Sequence, residues 1–314
     1  MVTFEKKNAR IAYMGTPEIS ATVLRGIIDA GFQVVGLICN EDKPVGRKGV
    51  LEPVPTKKVA IEHGIPVFQP HRIRDDYEFL KELKPDVIVT MAYGQIVPQG
   101  VLDIPVRGCI NLHGSLLPEL RGAAPIQRAI MQGKTKTGVT LMEMVSKMDA
   151  GKMFDKKEVE ILPSDDYGTL REKIAIAARD LIVEDLIPYL NGEFPGVEQD
   201  ESQVTFADKI KPEDEHLSLE MPARELINFI RGLSPVPGGF FLLQGKKLKA
   251  FSAHLESQET AGIVGEIVKD AKGLSFQAKD GVIAIDCLQL EGKKPMDAKS
   301  FVNGVRGLKG TILE

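Results

Sequence analysis

An α/β half followed by a smaller β-barrel is the fold class this sequence predicts, and three observations carry the prediction. Up to residue 144, short apolar strands alternate with helical stretches, as a doubly wound, mostly parallel sheet requires. Past residue 207 the texture changes to short alternating stretches bounded by Gly, Lys or Asp, which suits a small barrel. Between the two lies a polar, proline-containing segment of linker character. The expected organisation is an N-terminal domain over 1–190, a linker over 191–208 and a C-terminal domain over 209–314.

Residues 10–14 (RIAYM) read as the first strand, 19–30 as a helix whose periodicity stops at Gly31, and 33–39 as the second strand. The turn after the first strand, YMGTPEIS, has one glycine where a dinucleotide fingerprint needs three, which sets a nicotinamide cofactor aside. Further strands are expected at 67–68, 86–91, 109–112 and 138–144, with helices near 56–63, 75–83 and 123–132. A strand at 153–161 precedes a long helix over 169–190, with Ser164 as its expected N-cap and Asn191–Gly192 as its stop. In the C-terminal part a helix over 223–230 leads into strands near 239–244, 247–254, 262–269, 273–279 and 281–288.

At 314 residues, with 43% hydrophobic residues, the chain is long enough for two ordinary cores. A net charge of −4 gives no global field favouring nucleic acid, so any such partner must be met by local patches. The start, MVTFEKKNARIAYMG, lacks a hydrophobic signal core, and no apolar run approaches membrane-spanning length. A cytoplasmic protein is expected. Cys39, Cys109 and Cys287 show neither disulfide nor zinc spacing and read as reduced core residues.

The chemistry concentrates in CINLHGSLLPELRGAAPIQR, residues 109–128. Asn111 and His113 are two apart, so an extended segment points both to one face, at the strand end where open α/β sheets bind ligands. That pair suits acyl or formyl transfer to an amine: the amide donates to a developing oxyanion and the imidazole carries a proton. Asp149, in the polar turn MDAGKM after the strand GVTLMEM, supplies a carboxylate to orient His113 and raise its basicity. Each residue also has a plainer reading, as a hydrogen-bonded structural histidine and as an aspartate closing an Asx-turn. Residues 40–58, NEDKPVGRKGVLEPVPTKK, form a long basic connection carrying Lys43, Arg47, Lys48, Lys57 and Lys58. It reads either as a functional loop that meets phosphate or as a solvated charged loop.

NLHGSLLPELRGAAPIQ, followed at matching spacing by GVTLMEM and MDAGKM, resembles the tetrahydrofolate-dependent formyltransferases, most closely those acting on methionyl-tRNA. YMGTPEIS, PVFQP, MAYGQIVP, VTFADKI and INFIRGLSPVPGG extend the likeness over nearly the whole chain. The resemblance implies a Rossmann-like formyltransferase fold with an OB-like, tRNA-binding C-terminal barrel. It implies transfer of the formyl group of 10-formyltetrahydrofolate to the free amine of methionyl initiator tRNA, for translation initiation. The folate is then a co-substrate, no metal is needed, and Asn111, His113 and Asp149 are the catalytic residues. SLLP (Ser115, Leu116, Leu117 and Pro118) becomes the folate-contacting segment, an apolar wall whose backbone offers hydrogen bonds. Tyr93 and Gly94 are expected to form the opposite wall. Arg47 sits where the family places the arginine that faces the acceptor stem, with Lys48, Lys43 and Lys209 as further tRNA candidates. A monomer with no membrane partner is expected. The chain departs from the family at DEHLSLEMPA, where members usually carry a tryptophan, which puts a local packing contact in doubt. Alternatives are a sugar-nucleotide amine formyltransferase, a hydrolase releasing formate from the same donor, and a non-catalytic RNA-binding protein.

Overall fold

The structure, a computed structural model, describes residues 3–45 and 49–314. The chain forms two compact units, each assembled from separate stretches. The first comprises Met1–Gly122, Lys136–Glu160 and Arg171–Ala207, the second Ala123–Thr135, Ile161–Leu170 and Asp208–Glu314.

In chain order the elements begin with β1 (Arg10–Met14), α1 (Glu18–Asp29), β2 (Gln33–Ile38), β3 (Lys43–Val45), β4 (Val50–Glu52), α2 (Pro55–Glu62) and β5 (Val67–Phe68). They continue through α3 (Glu78–Leu83), β6 (Val87–Thr90), α4 (Gln99–Leu102), β7 (Cys109–His113), α5 (Pro125–Met131), β8 (Lys136–Glu143), β9 (Met153–Glu160) and α6 (Tyr167–Leu190). The first unit is built on a seven-stranded sheet of order β5-β2-β1-β6-β7-β8-β9. Strands β5 to β7 of that order run parallel, while β8 and β9 are antiparallel additions. The middle strands are continuous apolar runs because both faces are covered, and every residue of β6 is buried. Helix α1 buries Ile19, Val23, Leu24 and Ile27 at helical spacing, each worth about 1.5–3 kcal/mol of burial. From β1 the sheet grows one way to β2 and the other way to β6, so their carboxyl ends flank the crevice of a topological switch point.

Three local expectations change. The stretch 40–58 is largely ordered into the β3–β4 hairpin, with Lys43 opposite Glu52, and the start of α2 at Pro55, a residue preorganised for a first helical turn. Asp166, not Ser164, caps α6: Thr169 N–H donates to Asp166 Oδ1 at 2.9 Å and Asp166 N–H donates to Thr169 Oγ1 at 3.1 Å. That reciprocal box satisfies two helix-end donors at once. Much of 191–208 is bonded into the first unit, Val197 pairing with Met153 and Phe206 with Arg121, because its backbone groups find partners there.

The second unit adds α7 (Ala223–Leu233), β10 (Gly239–Leu243), β11 (Lys246–Ser257), β12 (Ile267–Lys269), β13 (Leu274–Ala278), β14 (Gly281–Leu290), β15 (Met296–Asp297) and α8 (Ala298–Gly304). Its antiparallel sheet runs β10-β11-β14-β13-β12, with β15 paired to β14. The curled sheet is closed by the end of the chain: Leu313 bridges to Leu243 and Ile312 to Glu266, the residue before β12. Closure removes exposed strand edges. Phe241 and Phe276 meet edge to face at 5.1 Å in a core to which α5 contributes Met131. In the stretch that lacks the family's tryptophan, Leu217 is buried in this core and Leu219 packs against it.

Candidate active site

Strand β7 ends at the carboxyl edge of the first unit's sheet, and its last residues place Asn111 and His113 on one face. Asn111 lies between Thr90 of β6 and Met142 of β8, and His113 lies opposite Thr140 of β8. The imidazole is 5% exposed. Its Nε2 lies 2.9 Å from the Leu120 carbonyl oxygen. A carbonyl only accepts, so the proton sits on Nε2 and Nδ1 of the neutral ring carries the lone pair. That nitrogen lies 3.7 Å from Asp149 Oδ1, beyond a hydrogen bond but close enough for the carboxylate to pair with the ring once it takes a proton. The Leu120 carbonyl thus meets one ring nitrogen and Asp149 faces the other, and Asp149 is itself held by the Gly122 N–H, which donates to Oδ2 at 2.8 Å. The Asn111 amide is half-buried and makes no hydrogen bond among the described residues.

Backbone strain gathers here. Of six non-glycine residues with positive φ among the described residues, Ala92 (50°), Leu120 (59°) and Asp149 (49°) lie at this end of the sheet. Each left-handed residue costs on the order of 1–3 kcal/mol, and such costs cluster where geometry is functional. Gly122 has φ of 121°, and a Cβ there would stand 2.8 Å from the Ala207 carbonyl oxygen, so only glycine fits.

The SLLP loop is pinned from within. Thr140 Oγ1 donates to Ser115 O at 2.7 Å and accepts from Leu117 N–H at 3.0 Å, while Lys156 Nζ donates to Leu117 O. Burial pushes the Lys156 ammonium below its ordinary range. Ser115 and Leu117 are buried, whereas Leu116 and Pro118 are partly exposed. Ser115 O, Leu117 N–H and Leu117 O thus each have a partner within the protein. Across the switch point, Tyr93 is buried and Gly94 exposed. The Tyr93 carbonyl accepts from Asn40 Nδ2 at 2.7 Å, Gln95 Nε2 donates to Asn40 Oδ1 at 2.8 Å, and the Tyr93 hydroxyl has no partner among the described residues. Burial pushes that hydroxyl well above the ordinary tyrosine range.

Of the basic candidates, Lys43 is exposed on β3 and Lys209 is exposed in the second unit. Arg47 and Lys48 lie outside the described residues. Lys57 and Lys58 are occupied, pairing with Asp42 and Glu52. Burial raises the Asp42 pKa, but hydrogen bonds from Lys57, Gln69 and the Val54 amide outweigh it and hold the carboxyl below its usual range. Nothing in the local sequence singles out Thr140, Lys156, Arg121 or Gln199. A buried threonine in a strand and an arginine beside a glycine carry no local signal of what they hold.

A sheet that presents an amide, an imidazole and a carboxylate at its carboxyl edge, followed by a separate closed barrel, is the layout of a two-unit group-transfer enzyme. The formyl transferase family model matches residues 9–186, and the formyl transferase C-terminal domain model matches residues 209–306. The methionyl-tRNA formyltransferase of Bacillus velezensis is 43% identical over 308 residues, covering 97% of each chain. That of Bacillus pumilus is 46% identical over 301 residues, covering 94% of this chain and 95% of the relative. The N-formyltransferase of Helicobacter canadensis, solved with folinic acid and dTDP-3-aminofucose, shares the fold at 18% identity. Its TM-score is 0.67, with 88% of this chain and 98% of that chain covered. The chain belongs to the formyl transferase family, in its methionyl-tRNA formyltransferase branch.

Proposed function

We propose that the chain transfers the formyl group of 10-formyltetrahydrofolate to the free amine of methionyl initiator tRNA, giving N-formylmethionyl-tRNA. Identity of 43% and 46% over nearly the full length of two methionyl-tRNA formyltransferases supports the reaction. The convergence of His113 and Asp149 within 3.7 Å, beside an Asn111 amide with no partner among the described residues, is the observation that carries the chemistry. An amide N–H can donate to a formyl carbonyl oxygen.

The methionyl amine attacks the formyl carbon, and the Asn111 amide donates to the oxygen as negative charge develops on it. His113 Nδ1, the ring nitrogen without a proton, takes the proton released by the amine. Asp149 stabilises the resulting imidazolium, while the Leu120 carbonyl keeps the ring from turning. The proton then passes to N10 as its bond to the formyl carbon breaks, leaving tetrahydrofolate and the N-formyl amide. Leu116, Pro118 and Gly94 meet the folate with their exposed surfaces, and the buried Ser115, Leu117 and Tyr93 shape the wall behind them. Lys43, Arg47, Lys48 and Lys209 meet tRNA phosphates. On this reading the enzyme works in the cytoplasm as a monomer. Among the described residues no helix is long and apolar enough to cross a membrane.

The test is a formylation assay of the purified chain with 10-formyltetrahydrofolate and three acceptors: methionyl initiator tRNA, an amino-sugar nucleotide, and none. Formyl appearing on the tRNA alone supports the proposal. Formylation of the sugar amine without the tRNA, or formate release with no acceptor, overturns it.

A further inference from the structure

The segment 199–207 braces both turns on which the candidate pair depends. The Arg121 guanidinium, 2% exposed, donates through Nε to Gln199 Oε1 and through Nη2 to Glu201 Oε1, both at 2.9 Å. Gln199 Nε2 in turn donates to the carbonyl oxygens of Asp149 and Gly151, both at 2.8 Å. The backbone completes the brace. Arg121 N–H donates to Thr205 O at 2.9 Å and Ala207 N–H to Arg121 O at 2.7 Å. Leu120 N–H donates to Thr205 Oγ1 at 2.9 Å.

Arg121 therefore lies between the carbonyl that fixes His113 and the amide that fixes Asp149, and Gln199 ties that turn to the Asp149 turn. Burying a guanidinium is costly unless its donors are satisfied, and an apolar side chain would pack there more cheaply. Both turns also carry a strained left-handed residue, Leu120 and Asp149, which relaxes unless the surroundings over-determine it. We infer that Arg121 and Gln199 are positioning residues for formyl transfer, holding the Leu120 carbonyl on His113 and the Asp149 carboxylate at its distance from the ring. This rests on the formyl-transfer reading above.

The test compares full-length Gln199→Glu with wild type. Glutamate keeps an acceptor for Arg121 but cannot donate to the two carbonyls. The inference expects kcat to fall about 10- to 100-fold, the loss typical of a small misplacement of catalytic groups, with KM for folate and tRNA nearly unchanged. In an Asp149→Ala background the same substitution should cost nothing further, because the group it positions is gone. Should Gln199→Glu not fold, Arg121→Lys, which keeps a buried cation but loses the fork to Gln199 and Glu201, is expected to lower kcat over the same range with KM nearly unchanged, and wild-type kcat in that folded variant overturns the inference. Wild-type kcat in the folded variant, or an equal further loss in the Asp149→Ala background, overturns the inference and leaves the function standing. A wild-type chain that does not formylate methionyl-tRNA overturns the function, and the inference with it.

Discussion

Leu120 holds the His113 ring by one nitrogen and thereby leaves the other facing Asp149. Removing the imidazole by His113→Ala should lower kcat by about 10²–10⁴-fold, the range for a positioned proton carrier. Asn111→Ala should cost about 10²–10³-fold as a lost oxyanion donor. Asp149→Ala should also lose most turnover, and all three proteins should keep wild-type circular dichroism. Steady-state kinetics beside a thermal melt check this set, and near-normal rates in folded variants would contradict the roles. The placement of Asn111 and His113 on one strand face was legible in the sequence through a two-residue period, and that of Asp149 through a short recognisable turn. Arg121 and Gln199 were not, since their hydrogen bond joins residues 78 apart. The same reason hides Thr140, whose partner Leu117 is 23 residues away. No local periodicity encodes such a contact.

At the scale of elements, β8 supports the SLLP loop through one hydroxyl. Thr140→Val keeps the shape but leaves Leu117 N–H and Ser115 C=O unpaired in a buried place, at about 1–3 kcal/mol each. A lowered Tm together with weaker folate binding in calorimetry is expected, and unchanged folate affinity would detach the loop from the donor site. The β3–β4 hairpin is tied at its base by Asp42, whose folded pKa lies below its unfolded one. Its stabilising contribution is therefore present above the ordinary carboxylate range and lost as pH falls through the folded value. Asp42→Asn should weaken the tie by about 1 kcal/mol at neutral pH and speed exchange of the Val54 amide, which donates to Asp42 at 3.3 Å. The hairpin was hidden in the sequence because its strands are three residues each and rich in Lys, Pro and Glu. The main strands were readable because burial on both faces imposes continuous apolar runs.

For the molecule as a whole, stability should carry a pH signature from the first unit. Burial, then the charge and hydrogen bond of Asp155 and the charge of Glu184, push the Asp185 carboxyl up to about 7, against the pull of Lys157. A carboxyl whose folded pKa is raised contributes stability that is full at acidic pH and is lost as pH rises through about 7. Asp185→Asn should therefore raise Tm above neutrality and flatten the decline, and a variant melting lower than wild type at pH 8 would contradict this assignment. The two-part architecture was readable from the change in strand texture near residue 207, but the closing bridges of Ile312 and Leu313 were not, being single pairings far apart in sequence. The central claim is that His113, opposite Asp149, carries the proton while formyl passes directly from folate to the methionyl amine. Single-turnover transfer from 10-formyltetrahydrofolate to methionyl initiator tRNA, comparing wild type with His113→Ala, tests it most directly. The account predicts rapid transfer by wild type and a rate at least about 100-fold slower in the folded variant, whereas equal rates, or no transfer by wild type, would contradict it.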